Sequence, residues 1–307
     1  MNVLPEAMRA SMTVFERGWL SSNNVLFAGD DGTAIVDTGY ASHAPQTRAL
    51  VAQKLGARRL DLIVNTHLHS DHCGGNALLQ ETHACATLIP ASEASAVRDW
   101  DEEALTFRAT GQRCERFGFT GTIENGATLA LGGFDWNVLG APGHDPHSLM
   151  LHCPEMRVLI SADALWENGF GVIFPELEGA SGFAEERAVL DLISTLDVDV
   201  VIPGHGAPFT DVARALDAAY SRLDYLAADP ARNAKNALKV LMVFKLMEVR
   251  AMSVDALLSM TTQARAMRAA ADMLAPPAER AALVGKIVGE LARGGAVQIS
   301  GETVSVA

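Results

Sequence analysis

Short apolar runs separated by turn-forming residues fill the first two-thirds of the chain. Asn24 to Ala28 and Thr33 to Asp37 flank Gly29-Asp30-Asp31-Gly32, a composition that turns a hairpin and opens an antiparallel sheet. From His43 to Leu55 the apolar positions Ala49, Leu50, Val51 and Leu55 fall at helical spacing. Leu60 to Val64 then reads as a short buried strand ending at Asn65-Thr66. Further strands are predicted at Ala86 to Ile89, Thr128 to Leu131, Phe134 to Gly140, Ser148 to His152, Arg157 to Ser161 and Val198 to Ile202, and helices at Gly75 to Gln80 and Ala184 to Leu196. Strands outnumber helices and come in hairpin-like pairs around Gly132-Gly133 and Pro154-Glu155, which predicts an α+β layered fold with antiparallel neighbours.

The texture changes near Thr210. From Asp211 onward the chain is rich in Ala, Leu, Met and Arg and reads as helical, with breaks at Asp229-Pro230, Ser253 and Pro276-Pro277. Ala296 to Ser300 and Thr303 to Val306 then form a last hairpin around Gly301-Glu302. Several helices followed by a two-stranded ribbon is the order of a winged-helix module. We therefore expect two domains, 1–210 and a smaller, mainly helical, winged-helix-like 211–307, as a length of 307 residues suggests at about 150 residues per domain.

Composition narrows the functional classes. Apolar residues make up 49% and charged residues 20%, which is ordinary globular usage and not that of a disordered chain. The net charge is −13, with 12 Lys+Arg against 10 Asp+Glu after residue 210, so the first part carries −15 and the second +2. That balance disfavours nucleic acid as a partner. The most apolar helical run, Leu238 to Met247, is interrupted by Lys239 and Lys245, so no membrane span of about 18 apolar residues is expected. Glu6, Arg9, Glu16 and Arg17 interrupt the segment where an export signal would need an apolar core, and the four cysteines form no CxxC pair. Both features predict a cytoplasmic protein with reduced thiols.

One segment carries chemistry. Thr66-His67-Leu68-His69-Ser70-Asp71-His72-Cys73-Gly74-Gly75 puts three imidazoles and a carboxylate within six residues, directly after a buried strand. In an extended chain residues i and i+2 point the same way, so His67 and His69 can grip one ion while Asp71 and His72 face a neighbouring one. Pro142-Gly143-His144, Ser161-Ala162-Asp163 and Pro203-Gly204-His205 each end a strand candidate, and two of the histidines follow glycines that let the backbone approach closely. Imidazole and carboxylate donors without thiolate suit Zn2+, and also Fe or Mn.

The HxHxDH run, the two later histidines and the intervening Asp resemble the metallo-β-lactamase superfamily, in its glyoxalase II-like and lactamase-like hydrolase branch, over about residues 12–210. The resemblance implies an αββα four-layer sandwich with two divalent metal ions. His67, His69 and His144 would hold the first ion, Asp71, His72 and His205 the second, and Asp163 would bridge them. Asp37 matches an early aspartate that supports the metal loop from behind. Two ions sharing a water lower its pKa from about 15.7 toward about 7, and the hydroxide between them, oriented by Asp71 and Asp163, would attack the substrate. The expected activity is hydrolysis of a small ester, thioester or lactone; a phosphodiesterase or endoribonuclease of the same fold and a mononuclear iron enzyme of persulfide-dioxygenase type are the alternatives.

Other residues are weighed against plain structural roles. His147 is read as a proton donor or substrate contact, and Trp166, Phe170 and Phe174 as a glycine-spaced aromatic loop lining the pocket. Cys73 is expected not to be a ligand, and His43, His83 and His152 to be structural or at the surface. The basic motif of glutathione thioesterases and the metal-side tyrosine of lactonases are not found. The C-terminal part resembles the winged-helix tail of lactamase-like endoribonucleases, where Arg280, Lys286 and Arg293 would meet phosphates. It would otherwise pack on the catalytic domain, wall the cleft or form a homodimer. Arg232, Lys235, Lys239 and Lys245 form a basic helical face, solvated or suited to an anionic substrate tail.

Overall fold

The computed structural model describes residues 3–307. A first sheet holds β1 (Met12–Phe15), β2 (Asn24–Gly29), β3 (Gly32–Val36), β4 (Leu62–Val64), β5 (Ala86–Pro90) and β6 (Gly121–Ile123) in that order. A second holds β7 (Thr128–Leu131), β8 (Phe134–Gly140), β9 (Leu149–Cys153), β10 (Val158–Ala162) and β11 (Val200–Pro203), also side by side in chain order. The hairpins predicted from the turn residues form at β2/β3, β7/β8 and β9/β10. The expected antiparallel neighbours are confined to the hairpin-linked strands and their direct partners. From β3 to β6 every pairing is parallel, as is β10 with β11. Parallel strands need crossovers, and helices α1 (Ala44–Leu55) and α3 (Asn76–His83) supply the two that flank β4, with the four-residue α2 (Ser70–Cys73) between them.

Period-two alternation sorts each strand's residues into layers. Val25, Phe27, Val36 and Val64 of the first sheet meet Val138, Leu151, Val158, Ile160 and Ile202 of the second in a central core that includes the fully buried Trp136. Leu26, Ile35 and Ile63 point the other way, onto Val51 and Leu55 of α1 and Leu79 of α3. Met150, Leu159 and Val201 lie against Val189, Leu190 and Ile193 of a later helix and Ala215, Leu216, Ala219 and Leu223 of the next. The result is the αββα sandwich. Each fully buried Leu, Ile or Phe contributes about 1.5–3 kcal/mol of burial free energy to it.

Two short helices, α4 (Ala94–Asp99) and α5 (Phe107–Thr110), precede β6, and the outer layer of the second sheet is α6 (Phe183–Thr195) with α7 (Val212–Ala227). Helix α8 (Pro230–Val249) starts at Asp229, whose side chain accepts from the Ala231 N–H at 3.2 Å, with Pro230 at the first helical position. Then follow β12 (Ala251–Ser253), α9 (Val254–Gln263), α10 (Arg265–Leu274), α11 (Arg280–Arg293), β13 (Val297–Ser300) and β14 (Thr303–Val306), the three strands pairing in the order β12-β14-β13. The apolar core of these helices, with Leu238, Met242, Met267, Ile287 and Val304, also takes in Val172 and Leu177 from the loop after β10. Helix α8 is thereby fastened against the loop that borders the metal-ligand cluster. Among the described residues no helix is long and apolar enough to cross a membrane.

Candidate metal centre

The seven ligand-type residues converge at one end of the sandwich. β3 and β4 run parallel with Val36 opposite Val64, so the residues that follow, Asp37 and Asn65-Thr66, emerge side by side. β10 and β11 run parallel with Ala162 opposite Pro203, which brings Asp163 next to His205. His144 comes from the turn between β8 and β9, and Asp71 and His72 from α2. All seven are buried, none more than 8% exposed.

Three groups of ligand atoms lie within 4.8 Å of one another: His67, His69 and His144; His67, His72 and Asp163; and Asp71, His72 and His205. The Asp163 carboxylate spans them. Its Oδ2 is 3.3 Å from His144 Nε2, and its Oδ1 is 3.5 Å from His72 Nε2 and 3.9 Å from His205 Nε2. Asp71 Oδ2 is 3.0 Å from His205 Nε2.

Hydrogen bonds behind the rings set the tautomers. His72 Nδ1 donates to Asp37 Oδ2 at 2.8 Å. The Thr66 hydroxyl donates to the same oxygen at 2.8 Å and accepts from His67 Nδ1 at 3.1 Å. His144 Nδ1 donates to the Val172 carbonyl, and His69 Nε2 lies 3.4 Å from Asp145 Oδ2. The bonds of His67, His72 and His144 each leave the ring's other nitrogen as a lone pair aimed inward. His67 Nε2 and His72 Nε2 are buried with no protein partner, and His144 Nε2 and His69 Nδ1 face each other at 2.9 Å. With His144 Nδ1 donating to Val172, that contact is a hydrogen bond in which His69 Nδ1 donates, and a cation binding both nitrogens would take the place of its proton. These donors therefore fit a pair of divalent ions on an observation independent of any motif.

Electrostatics agree. Burial, with His72 and His69 beside it, pushes the His67 imidazole well below its ordinary range, and burial with His69 lowers His144 to about 4, so both rings are neutral at pH 7, the form that can bind a metal. Burial also opposes charge on His72, but Asp163, Asp37 and Asp71 outweigh it and drive its pKa well up. For Asp163, burial disfavours the carboxylate and the neighbouring His72 and His205 more than reverse that. A nest of anionic oxygens that raises the pKa of the His72 imidazole is a site that attracts cations.

Backbone geometry shows what this arrangement demands. Asp37 (φ 56°) and Ala162 (φ 47°) occupy the left-handed region, strain that persists where surrounding structure over-determines it. The glycines beside the ligands serve close approach, as expected. A Cβ at Gly204 would lie 2.2 Å from Asp163 Oδ1, one at Gly143 2.2 Å from the buried Glu186, and one at Gly171 2.4 Å from His144 Nδ1.

A cavity of about 100 Å³ opens onto the ligand-type residues. Trp166, Phe170 and Phe174 all line it, and so do Trp19 from the loop before β2, Arg222 of α7, and Asn236, Val240 and Phe244 of α8. Trp19 stacks on His205 with ring centroids 5.5 Å apart, and the Trp166 indole N–H donates to Asp163 Oδ1 at 3.3 Å. His147 lies outside this cavity, in the adjoining depression with Asp145, Phe174 and Arg265. Its backbone N–H donates to Asp145 Oδ1 at 2.8 Å.

Cys73 faces away, 3.4 Å from the Leu68 carbonyl and 3.8 Å from Cys114 Sγ. His43 bonds Ser21, His83 accepts from the Leu60 N–H, and His152 sits in β9 with its Nε2 at the Asp197 carbonyl. Arg280 is buried against Asp272 and the Thr261 carbonyl, so it is not available to phosphates. Lys235 and Lys239 share Glu290, and Lys245 pairs with Glu248, so the predicted basic face is partly paired within the chain. Sequence reasoning missed Asp145, Trp19, Arg222 and Asn236. Asp145 had a local signal in its place directly after His144; the other three had none.

Comparison with known proteins places this arrangement. Residues 17–205 match the model of the metallo-beta-lactamase superfamily. Acyl-coenzyme A thioesterase MBLAC2 of Homo sapiens is 26% identical over 213 residues, covering 62% of this chain and 76% of its own length. The hydroxyacylglutathione hydrolase of Hyphomonas neptunium is 30% identical over 112 residues, 36% of each chain, so the likeness spans about a third of that enzyme. The solved structure of metallo-beta-lactamase family protein TTHA1429 from Thermus thermophilus shares the fold over 97% of this chain and 99% of its own, with a TM-score of 0.59 at 20% identity. A class B3 di-zinc metallo-beta-lactamase from an Alaskan soil metagenome does so over 71% and 92%, with a TM-score of 0.54 at 19% identity. The chain belongs to the metallo-β-lactamase superfamily, and its relatives place it among the hydrolases of that superfamily.

Proposed function

We propose that the protein hydrolyses thioesters of small acyl groups at a dinuclear centre, with zinc as the metal. His67, His69 and His144 would hold one ion and Asp71, His72 and His205 the other, with Asp163 shared between the two. When bound, the ions supply a water of lowered pKa and polarise the substrate carbonyl. The Asp71 and Asp163 carboxylates orient that water by accepting its protons. Phe170, Val172, Phe174, Val240 and Phe244 form an apolar wall that holds the acyl chain and excludes bulk water. The water would lose one proton to solvent by way of Asp71 as its oxygen bonds the carbonyl carbon, the C–S electron pair would leave with sulfur as thiolate, and the new carboxylic acid would release the second proton to solvent as the carboxylate. His147 supports His69 through Asp145, to which its backbone N–H donates.

The observation that carries the thioester reading is the make-up of the cavity wall. Every acidic or imidazole side chain lining it is one of the metal ligands, and no tyrosine lines it. An alkoxide leaving group would need a proton as it departs; a thiolate, with a thiol pKa of about 8.5, does not. The named relatives include acyl-CoA and glutathione thioester hydrolases, which agrees. The cavity also contains a single cationic side chain, Arg222, too little for a nucleic-acid groove. All four cysteines are free thiols, which fits a cytoplasmic location.

The test is elemental mass spectrometry on protein purified without added metal, coupled to a panel of thioesters, p-nitrophenyl esters, lactones and bis-p-nitrophenyl phosphate. About two zinc ions per chain and the highest kcat/KM on thioesters are expected, with turnover lost on chelation and restored by zinc. Preference for the phosphate diester, or one iron per chain with no hydrolysis, overturns the reading.

A further inference from the structure

One cation in the metal cavity has no counter-charge. Arg222, on α7, is half-buried and makes no ion pair or hydrogen bond with any described residue, and its Nε is buried without a partner. Its surroundings differ from those of the neighbouring cations. Arg214 pairs with Glu167, Arg232 with Asp229, Lys235 and Lys239 with Glu290, and Arg265 with Glu103 and Glu178. Arg222 alone of these lines the cavity.

Its position is built. A Cβ at Gly169 would lie 2.7 Å from Arg222 Cδ, so only glycine leaves room for the arginine stem, and Gly169 has φ +128° besides. The guanidinium carbon sits 5.6 Å from the centre of the Phe170 ring, which supports the cation while leaving its N–H fork free. Across the cavity on α8, Asn236 Nδ2 is likewise buried with no acceptor. Buried donors without acceptors cost free energy that a ligand's acceptors recover. Burial alone lowers the guanidinium's pKa, a penalty that an anionic partner removes. A planar guanidinium fork suits a carboxylate or phosphate, and the Asn236 amide on α8 offers a further donor to the same cavity.

We infer that Arg222 and Asn236 form an anion subsite at the metal cavity, so that the substrate carries a carboxylate or similar anionic group set apart from its scissile carbonyl. This rests on the hydrolase reading above for the scissile bond, and on the cavity geometry alone for the anion. Arg222 is then the residue that selects anionic over neutral substrates, and it takes no part in bond cleavage.

The test uses the full-length zinc-loaded protein and three thioesters. One is neutral (S-butyryl-mercaptoethanol), one carries the carboxylate on the acyl side (S-glutaryl-mercaptoethanol), and one on the thiol side (S-butyryl-3-mercaptopropionate). At least one anionic substrate should exceed the neutral one in kcat/KM by about tenfold or more, chiefly through KM, and the preferred one identifies the side that reaches Arg222. Arg222→Gln should collapse that ratio toward one, Arg222→Lys should keep part of it, and Asn236→Ala should reduce it severalfold. A wild-type ratio near one, or a ratio that survives Arg222→Gln, overturns the subsite; general damage to the fold lowers all three activities together and leaves the ratio standing. Calorimetric titration with glutarate against butyrate reads the same contact without turnover. If no thioester is cleaved, the hydrolase reading falls, and the titration decides the subsite alone. Tighter glutarate binding that Arg222→Gln abolishes upholds it, and equal binding of the two acids refutes it.

Discussion

Asp37 bonds Thr66 and His72 from behind the candidate metal centre, and Asp37→Asn isolates that role. The backbone there has φ 56°, which Asn tolerates about as well as Asp, so the substitution adds no backbone strain. Its volume is unchanged. What changes is the hydrogen-bond count. Asp37 Oδ1 accepts from the Thr66 N–H at 2.9 Å, and Oδ2 accepts from both the Thr66 hydroxyl and His72 Nδ1. An amide has one oxygen and one NH2. If the NH2 replaces Oδ2 it opposes two donors; if it replaces Oδ1 it opposes the Thr66 N–H.

In the first orientation His72 must move its proton to Nε2, the atom that faces Asp163, and the Thr66 hydroxyl loses the acceptor that lets it receive from His67 Nδ1. Both ions then meet a mis-set imidazole. Losing one charge-assisted hydrogen bond costs about 1.5–3 kcal/mol. That corresponds to about 10- to 100-fold, the usual loss of metal affinity when a residue behind a ligand is changed. Zinc affinity measured by chelator competition should therefore weaken by that factor. Melting of the zinc-loaded protein should fall while that of the chelated protein falls less. Zinc affinity within about twofold of wild type would refute the chain of hydrogen bonds described here.

Two other perturbations check the geometry. Gly171→Ala places a methyl 2.4 Å from His144 Nδ1, so the ring must retreat by about 1 Å to regain ordinary contact, whereas a zinc–nitrogen bond tolerates about 0.2 Å; loss of about one zinc per chain by mass spectrometry is expected, and full occupancy refutes the clash. Asp71→Ala should weaken the second site and cut turnover by about 100-fold or more, while Cys73→Ser, whose hydroxyl can keep the bond to the Leu68 carbonyl, should retain both ions. Equal metal loss in both variants would show the ligand assignment to be wrong.

Much of this molecule is written in short stretches of the chain. Alternation along a strand needs no partner to be read, because successive side chains point to opposite faces whatever lies beyond them. The strand runs were legible as short apolar stretches, and the Gly29 to Gly32 turn from its glycines and aspartates. The HxHxDH segment was legible because so many ligand-type side chains after a buried strand are costly without a cation, and Pro142-Gly143-His144 and Pro203-Gly204-His205 because glycine beside a ligand signals close approach.

Tertiary structure decided the rest. Whether a strand runs parallel or antiparallel depends on where its crossover packs, so the parallel run from β3 to β6, which sets Asp37 beside Thr66, was not visible in any window of sequence. The same holds for Lys235, Lys239 and Arg280, whose charges read as available until Glu290 and Asp272 arrived from elsewhere in the chain. It holds most for the substrate cavity. Trp19, Arg222 and Asn236 lie on a loop and two helices far apart in sequence, and each is ordinary in its local context. They meet because α7 packs on α6 and α8 on the loop after β10, and a pocket is a property of such packing between elements, not of any one of them.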